Sequence, residues 1–123
     1  MTRTAITIGL VAYWVALFTA THIPRIPAAL QMPGSDKWQH FAAYGGLAFL
    51  LSIRQFCGKP LSWKTAAQIL GILAVYGALD ELSQIPVGRD AELYDWLADI
   101  IGASGGIAVF AAGRALFRRR PVQ

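Results

Sequence analysis

A chain of 123 residues, 55% of them hydrophobic and only 15% charged, has room for one domain and is too apolar for an ordinary soluble one. Its single cysteine, Cys57, excludes an internal disulfide framework. The net charge of +4 does not point to nucleic acid: the one basic run, Arg118, Arg119 and Arg120, directly follows an apolar segment, with no stacking aromatics and no recognition motif.

Between Arg3 and Arg25 no acid, Lys or Arg interrupts the chain, which predicts a first helix over 4–21, stopped by Pro24 and Pro27. A signal peptide has the same general shape, but Phe18 ahead of Thr19 and Ala20 makes a poor small-x-small cleavage site, so the helix is expected to be retained. The apolar segment Trp38 to Ile53, between Lys37 and Arg54, predicts a second helix over 36–56, with Ser35 after Pro33 and Gly34 as its N-cap and an inert Cys57 just past its end. Thr65 to Leu79, between Lys64 and Asp80, predicts a third over 63–85, capped by Ser62 after Pro60 and broken by Pro86 and Gly88. Ile100 to Gly113, between Asp99 and Arg114, predicts a fourth over 91–117 with Asp90 as cap.

The last three apolar segments are short. About 15 helical residues cover only ~22 Å, against a hydrocarbon core of ~30 Å. Either they are buried helices of a soluble bundle, or spanning helices extend past their charged residues and draw them into the membrane. The composition favours the second. The expected fold is all-α, a single-domain four-helix transmembrane bundle.

With four spans, one side of the membrane receives Arg3, Arg54, Lys59, Lys64, Arg114, Arg118, Arg119 and Arg120 and no acid, while the other receives Arg25, Lys37, Arg89 and every acid. Lys and Arg near helix ends mark the cytoplasmic side, so both termini are expected in the cytoplasm. Trp38, Tyr94 and Trp96 are then expected in the outer aromatic belt and Trp63 in the inner one.

The acids collect with Lys37, His40, Gln84 and Arg89 at the outer ends of three helices. Asp36, His40 and Tyr44 are four apart on one face of the second helix. Glu92, Asp95 and Asp99 share a face of the fourth with Gly102 and Gly106, and a small-x-x-x-small stripe lets a neighbouring backbone approach, so these acids are expected to face the bundle interior. Ionisable groups inside a membrane are costly and by default functional. The third helix ends on this side, where its dipole and the adjacency of Asp80 and Glu81 disfavour two charges; His40, Asp80 and Glu81 are therefore the candidate proton carriers or catalytic groups. Lys37, Arg89 and His40 are the available counter-charges. A purely structural network of Asp36, Lys37, Arg89, Asp95 and Asp99 is the competing expectation. No H-x-x-x-H spacing marks a metal site among His22, His40 and the acids, so neither a metal nor another cofactor is expected, and no Ser-centred nucleophile motif or phosphate loop is present.

Three ordered blocks resemble the VanZ-like family of small bacterial membrane proteins: Asp36, Lys37 and His40 before the aromatic Phe41; Gly77, Asp80, Glu81 and Gln84; and Arg89, Asp95, Asp99, Gly102 and Gly106. The resemblance spans roughly Pro33 to Gly106, and Asp99 departs from it, since the family more often carries Asn there. It implies a setting in the bacterial envelope, the name-giving member being associated with teicoplanin resistance. It also implies that Asp36, Lys37, His40, Asp80, Glu81, Gln84, Arg89, Asp95 and Asp99 are the characteristic polar residues. The leading expectation is a non-enzymatic protein whose outward acidic pocket binds an envelope lipid, a glycopeptide or another membrane protein. The alternatives are a membrane-embedded acid–base enzyme acting on a lipid or wall precursor, and a small oligomeric proton-coupled transporter.

Overall fold

The computed structural model describes residues 2–23, 34–56 and 61–118. They form four helices: α1 Arg3–Thr21, α2 Ser35–Gln55, α3 Trp63–Gln84 and α4 Leu93–Arg118, with a 3-10 turn at Ile85–Val87. Each helix lies within two residues of its predicted bounds. Pro24, Arg25, Pro27, Pro33, Cys57, Lys59, Pro60, Arg119 and Arg120, on which several expectations rest, lie outside the described residues.

The helix ends follow from local chemistry. Thr2 Oγ1 accepts from the Ala5 N–H (3.3 Å) and Ser62 Oγ from the Thr65 N–H (3.1 Å), each satisfying a donor that the first turn leaves unpaired. Two predicted caps are displaced. The N-cap of α2 is Gly34 at φ 74, a left-handed conformation open to glycine, and Ser35 is already helical. Asp90 does not cap α4: the Glu92 carbonyl accepts from the N–H groups of Asp95 and Trp96, so the helix starts after Glu92. After α3, Gly88 at φ 79 reverses the chain, its N–H donating to Ile85 O while Arg89 N–H reaches Gln84 O.

The bundle runs up-down-up-down, and its polarity is inverted relative to a soluble protein. Ile8, Val11, Val15 and Phe18 of α1 and Ile72, Val75 and Leu79 of α3 face outward, while His40, Ser52, Asp80, Glu81, Gln84, Asp95 and Asp99 are buried. In water that arrangement would expose the apolar groups and strand the charges; in a bilayer the lipid takes up the first and the bundle shelters the second. α1, α3 (with its 3-10 turn) and α4 are each long and apolar enough to cross a membrane. α2 is not among them, because Asp36, Lys37, Gln39 and His40 crowd its first turns. Its 21 residues still extend about 32 Å, and the other three helices pack around it, so it needs less apolar surface than they do.

α2 and α4 make the closest approach. A Cβ on Gly102 would overlap the Phe41 carbonyl and one on Gly106 the Gly45 carbonyl, while one on Gly45 would sit 3.1 Å from Gly102 O. The four-residue repeat of small residues thus lets two backbones touch. Elsewhere Tyr13 Oη–H donates to Ala43 O (2.9 Å), joining α1 to α2, and Arg54 Nε–H donates to Thr7 Oγ1 (2.7 Å) at the basic end. An apolar layer of Leu10, Leu17, Tyr44, Leu47, Leu73 and Ala103 separates that end from the acids. Trp38, Trp63 and Tyr94 are exposed at the bundle ends. Trp96 is not a belt residue: its indole turns inward and donates to Ala74 O (2.8 Å), tying α4 to α3.

Candidate functional site

The antiparallel threading brings the C-terminal ends of α1 and α3 beside the N-terminal ends of α2 and α4, so every polar block of the sequence meets at one end of the bundle. Two groups form there. In the first, on the α1–α3 side, Thr21 Oγ1 donates to Asp80 Oδ1 (3.2 Å) and Gln84 Nε2 to Asp80 Oδ2 (3.4 Å), and His22 Nε2 lies 2.9 Å from Ser83 Oγ. Thus Ser83 pairs with His22.

The second group joins α2, α3 and α4. His40 Nδ1 is 2.9 Å from Asp99 Oδ1 and 3.8 Å from Glu81 Oε1, and His40 Nε2 is 3.8 Å from Asp95 Oδ2. Lys37 Nζ reaches Asp95 Oδ1 (3.1 Å), Glu92 Oε2 (3.3 Å) and Asp36 Oδ2 (3.6 Å). The Glu92 N–H, at the start of α4, donates to Glu81 Oε2 (2.8 Å). Successive helical residues point about 100° apart; hence Asp80 turns to α1 while Glu81 faces His40. Of these two candidate carboxylates, Glu81 is the one within 4 Å of His40.

Asp80, Glu81, Asp95 and Asp99 are each at most 5% exposed. Bringing four carboxylates out of water is costly unless each is paired or hydrogen-bonded. Lys37 and the two imidazoles supply the nearby basic groups, and two oxygens, Glu81 Oε1 and Asp99 Oδ2, have no hydrogen-bond partner among the described residues. Among the described residues Arg89 has no ion pair. Its Nη1–H donates to the Ile23 carbonyl (3.2 Å), and its buried Nε lacks a partner among the described residues.

Between α1 and α2 a cleft of about 100 Å³ reaches into this end, lined by Thr21, Asp36, Gln39, His40, Tyr44 and Arg89, with Leu17 and Ala20 on its apolar side. The 36–40–44 face read from the sequence lines it. Thr21 and Gln39 were not singled out in the sequence; their signal was a polar residue at the acidic end of an otherwise apolar span. Tyr44 is fully buried, yet its hydroxyl has no partner among the described residues. An unsatisfied buried hydroxyl costs roughly 1–3 kcal/mol, so Tyr44→Phe is expected to resist detergent unfolding as well as the parent or by about 1 kcal/mol better. A clear loss of stability in SDS titration would show that the hydroxyl is bonded.

Comparison of the chain with family models, curated proteins and solved structures finds no match.

Proposed function

We propose that the chain is a VanZ-like, multi-pass protein of the bacterial inner (cytoplasmic) membrane that holds the anionic head of an envelope lipid or lipid-linked wall precursor in the cleft between α1 and α2, on the extracytoplasmic side. The observation that carries this reading is the cleft itself: an arginine whose Nε seeks an acceptor, together with Thr21, Gln39 and His40, beside an apolar wall of Leu17 and Ala20. Its size suits a phosphate- or carboxylate-sized group with a few waters and excludes a whole glycopeptide from entering. An amphipathic ligand would place its head there and its chain along the lipid-facing surface of α1. A part in teicoplanin-type resistance or envelope homeostasis, the setting implied by the VanZ resemblance, fits a protein that sequesters or presents such a lipid.

The test is native mass spectrometry of the purified chain with added polyprenyl phosphate or phosphatidylglycerol. A hydrogen bond to a charged group contributes about 1.5–3 kcal/mol, so Arg89→Ala should cut the retained fraction by about tenfold or more, and Arg3→Ala, at the other end, should leave it unchanged. Equal retention by both variants would overturn the reading.

The 2.9 Å contact between His40 Nδ1 and Asp99 Oδ1 favours a second reading, a membrane-embedded acid–base enzyme in which Asp99 orients His40 toward the bound lipid. It requires turnover of a defined lipid by the purified chain that His40→Ala removes.

A further inference from the structure

We propose that His40, Glu81 and Asp99 form a divalent metal site at the centre of the acidic end, suited to Zn²⁺, with Nδ1 of His40, Oε1 of Glu81 and one carboxylate oxygen of Asp99 as ligands and a fourth position for water or a ligand headgroup. The inference goes beyond lipid binding and does not depend on it.

The ligand atoms of these three residues all lie within 4.8 Å of one another, and all three residues are buried. A tetrahedral ion with bonds of about 2.0–2.1 Å places its ligands about 3.4 Å apart. The His40 Nδ1 distances of 2.9 Å to Asp99 Oδ1 and 3.8 Å to Glu81 Oε1 lie on either side of that value. Small side-chain shifts therefore suffice to seat an ion. The cluster is more than a gathering of acids, because two oxygens within it, Glu81 Oε1 and Asp99 Oδ2, are buried with no hydrogen-bond partner among the described residues. A carboxylate oxygen buried without a donor is expensive, and coordination to a cation is one of the few ways to satisfy it.

Two of the three donors, Glu81 and His40, have surroundings suited to a metal ligand. Glu81 is held through its other oxygen by the Glu92 N–H at 2.8 Å, which leaves Oε1 turned toward the cluster. His40 presents Nδ1 to the cluster and Nε2 toward Asp95 Oδ2 at 3.8 Å, and Asp95 is itself held by Lys37 at 3.1 Å. A carboxylate hydrogen-bonded to the far nitrogen of a ligating histidine fixes its tautomer and strengthens it as a donor, a role open to Asp95 once the 3.8 Å separation closes on metal binding. Two carboxylates and a neutral imidazole carry two negative charges, which one divalent ion offsets. One nitrogen and two oxygens form a mixed set that Zn²⁺ accepts, and such a set binds it more tightly than Mn²⁺. His40 also lines the α1–α2 cleft, so the ion would lie next to the space where a headgroup would sit.

The experiment is titration of the chelator-treated, detergent-purified chain with Zn²⁺, followed by calorimetry, and with Co²⁺, followed by its visible absorption. One ion per chain is expected, with a tetrahedral Co²⁺ spectrum. Removing an outer partner of a metal site costs 10–100-fold in affinity, and removing a ligand costs more. Glu81→Gln and Asp99→Asn, which keep side-chain shape, should therefore each weaken Zn²⁺ binding by about 100-fold or more, and Asp95→Asn by about 10-fold. Absence of stoichiometric binding by the parent chain would overturn the proposal. So would binding that survives both ligand substitutions, or binding lost in Asp36→Asn but not in Glu81→Gln, which would place the ion in the neighbouring Asp36, Glu92 and Asp95 group. Should either ligand variant fail to fold, the Co²⁺ spectrum of the parent decides alone: octahedral all-oxygen coordination would exclude His40 and overturn the assignment.

Discussion

Gly106→Leu is expected to dismantle the bundle, while Gly71→Leu leaves it intact. Both glycines are helical, so intrinsic propensity favours either replacement by somewhat under 1 kcal/mol. Their surroundings decide the sign. Nothing lies within 4 Å of a Cβ built on Gly71, whose side faces lipid. At Gly106 even a methyl group collides with the Gly45 carbonyl, which is backbone and cannot rotate away. Overpacking typically costs 1–3 kcal/mol where side chains can adjust, and here two helices would have to separate. Separation would also pull Asp99 and Asp95 of α4 away from His40 and Lys37 of α2, so the loss should exceed about 3 kcal/mol and remove the acidic site with it. The measurement is helicity against SDS mole fraction in mixed micelles: a midpoint far below the parent for Gly106→Leu and at or above it for Gly71→Leu. Equal midpoints would mean that α2 and α4 do not meet through their glycines.

That stripe was legible in the sequence because Asp95, Asp99, Gly102 and Gly106 repeat at helical spacing. One periodicity announced both the inward direction of the acids and the tight contact below them. The helix bounds were legible for a different reason: charges and Pro or Gly residues punctuate every apolar run. What could not be read is what depends on side-chain direction between helices. Asp80 and Glu81 are neighbours in sequence, and only the placement of α1 and α2 shows that one meets Thr21 and the other His40. Trp96 carries the composition of an interfacial anchor, yet the Ala74 carbonyl on α3 takes its N–H inward. The His40, Glu81 and Asp99 cluster, proposed above as a metal site, is drawn from α2, α3 and α4 and so leaves no linear spacing such as H-x-x-x-H to read. Arg89 is a cation at the same end as the acids, yet it donates to the Ile23 carbonyl and lines the cleft.

Threading of the chain predicts an all-or-none result. Arg3, Arg54, Lys64, Arg114 and Arg118 belong to the helix ends of one side, and the acids to the ends of the other. Orientation follows the Lys and Arg near helix ends, each costing roughly 2.5–3.5 kcal/mol to carry through the centre of the membrane, and acids contribute little. Several such residues on one side leave the reverse orientation negligibly populated. In a Cys57→Ser background, a cysteine at Ala91, exposed in the turn before α4, should be labelled nearly completely by a membrane-impermeant maleimide added to intact cells. A cysteine at Lys64, exposed in the first turn of α3, should label to less than about a tenth of that extent until the membrane is permeabilised. Such labelling would put the acidic end on the extracytoplasmic side, as the proposed envelope ligand requires. The opposite labelling pattern would turn the cleft to the cytosol and remove the envelope ligand from consideration, while leaving the His40, Glu81 and Asp99 cluster to be tested on its own.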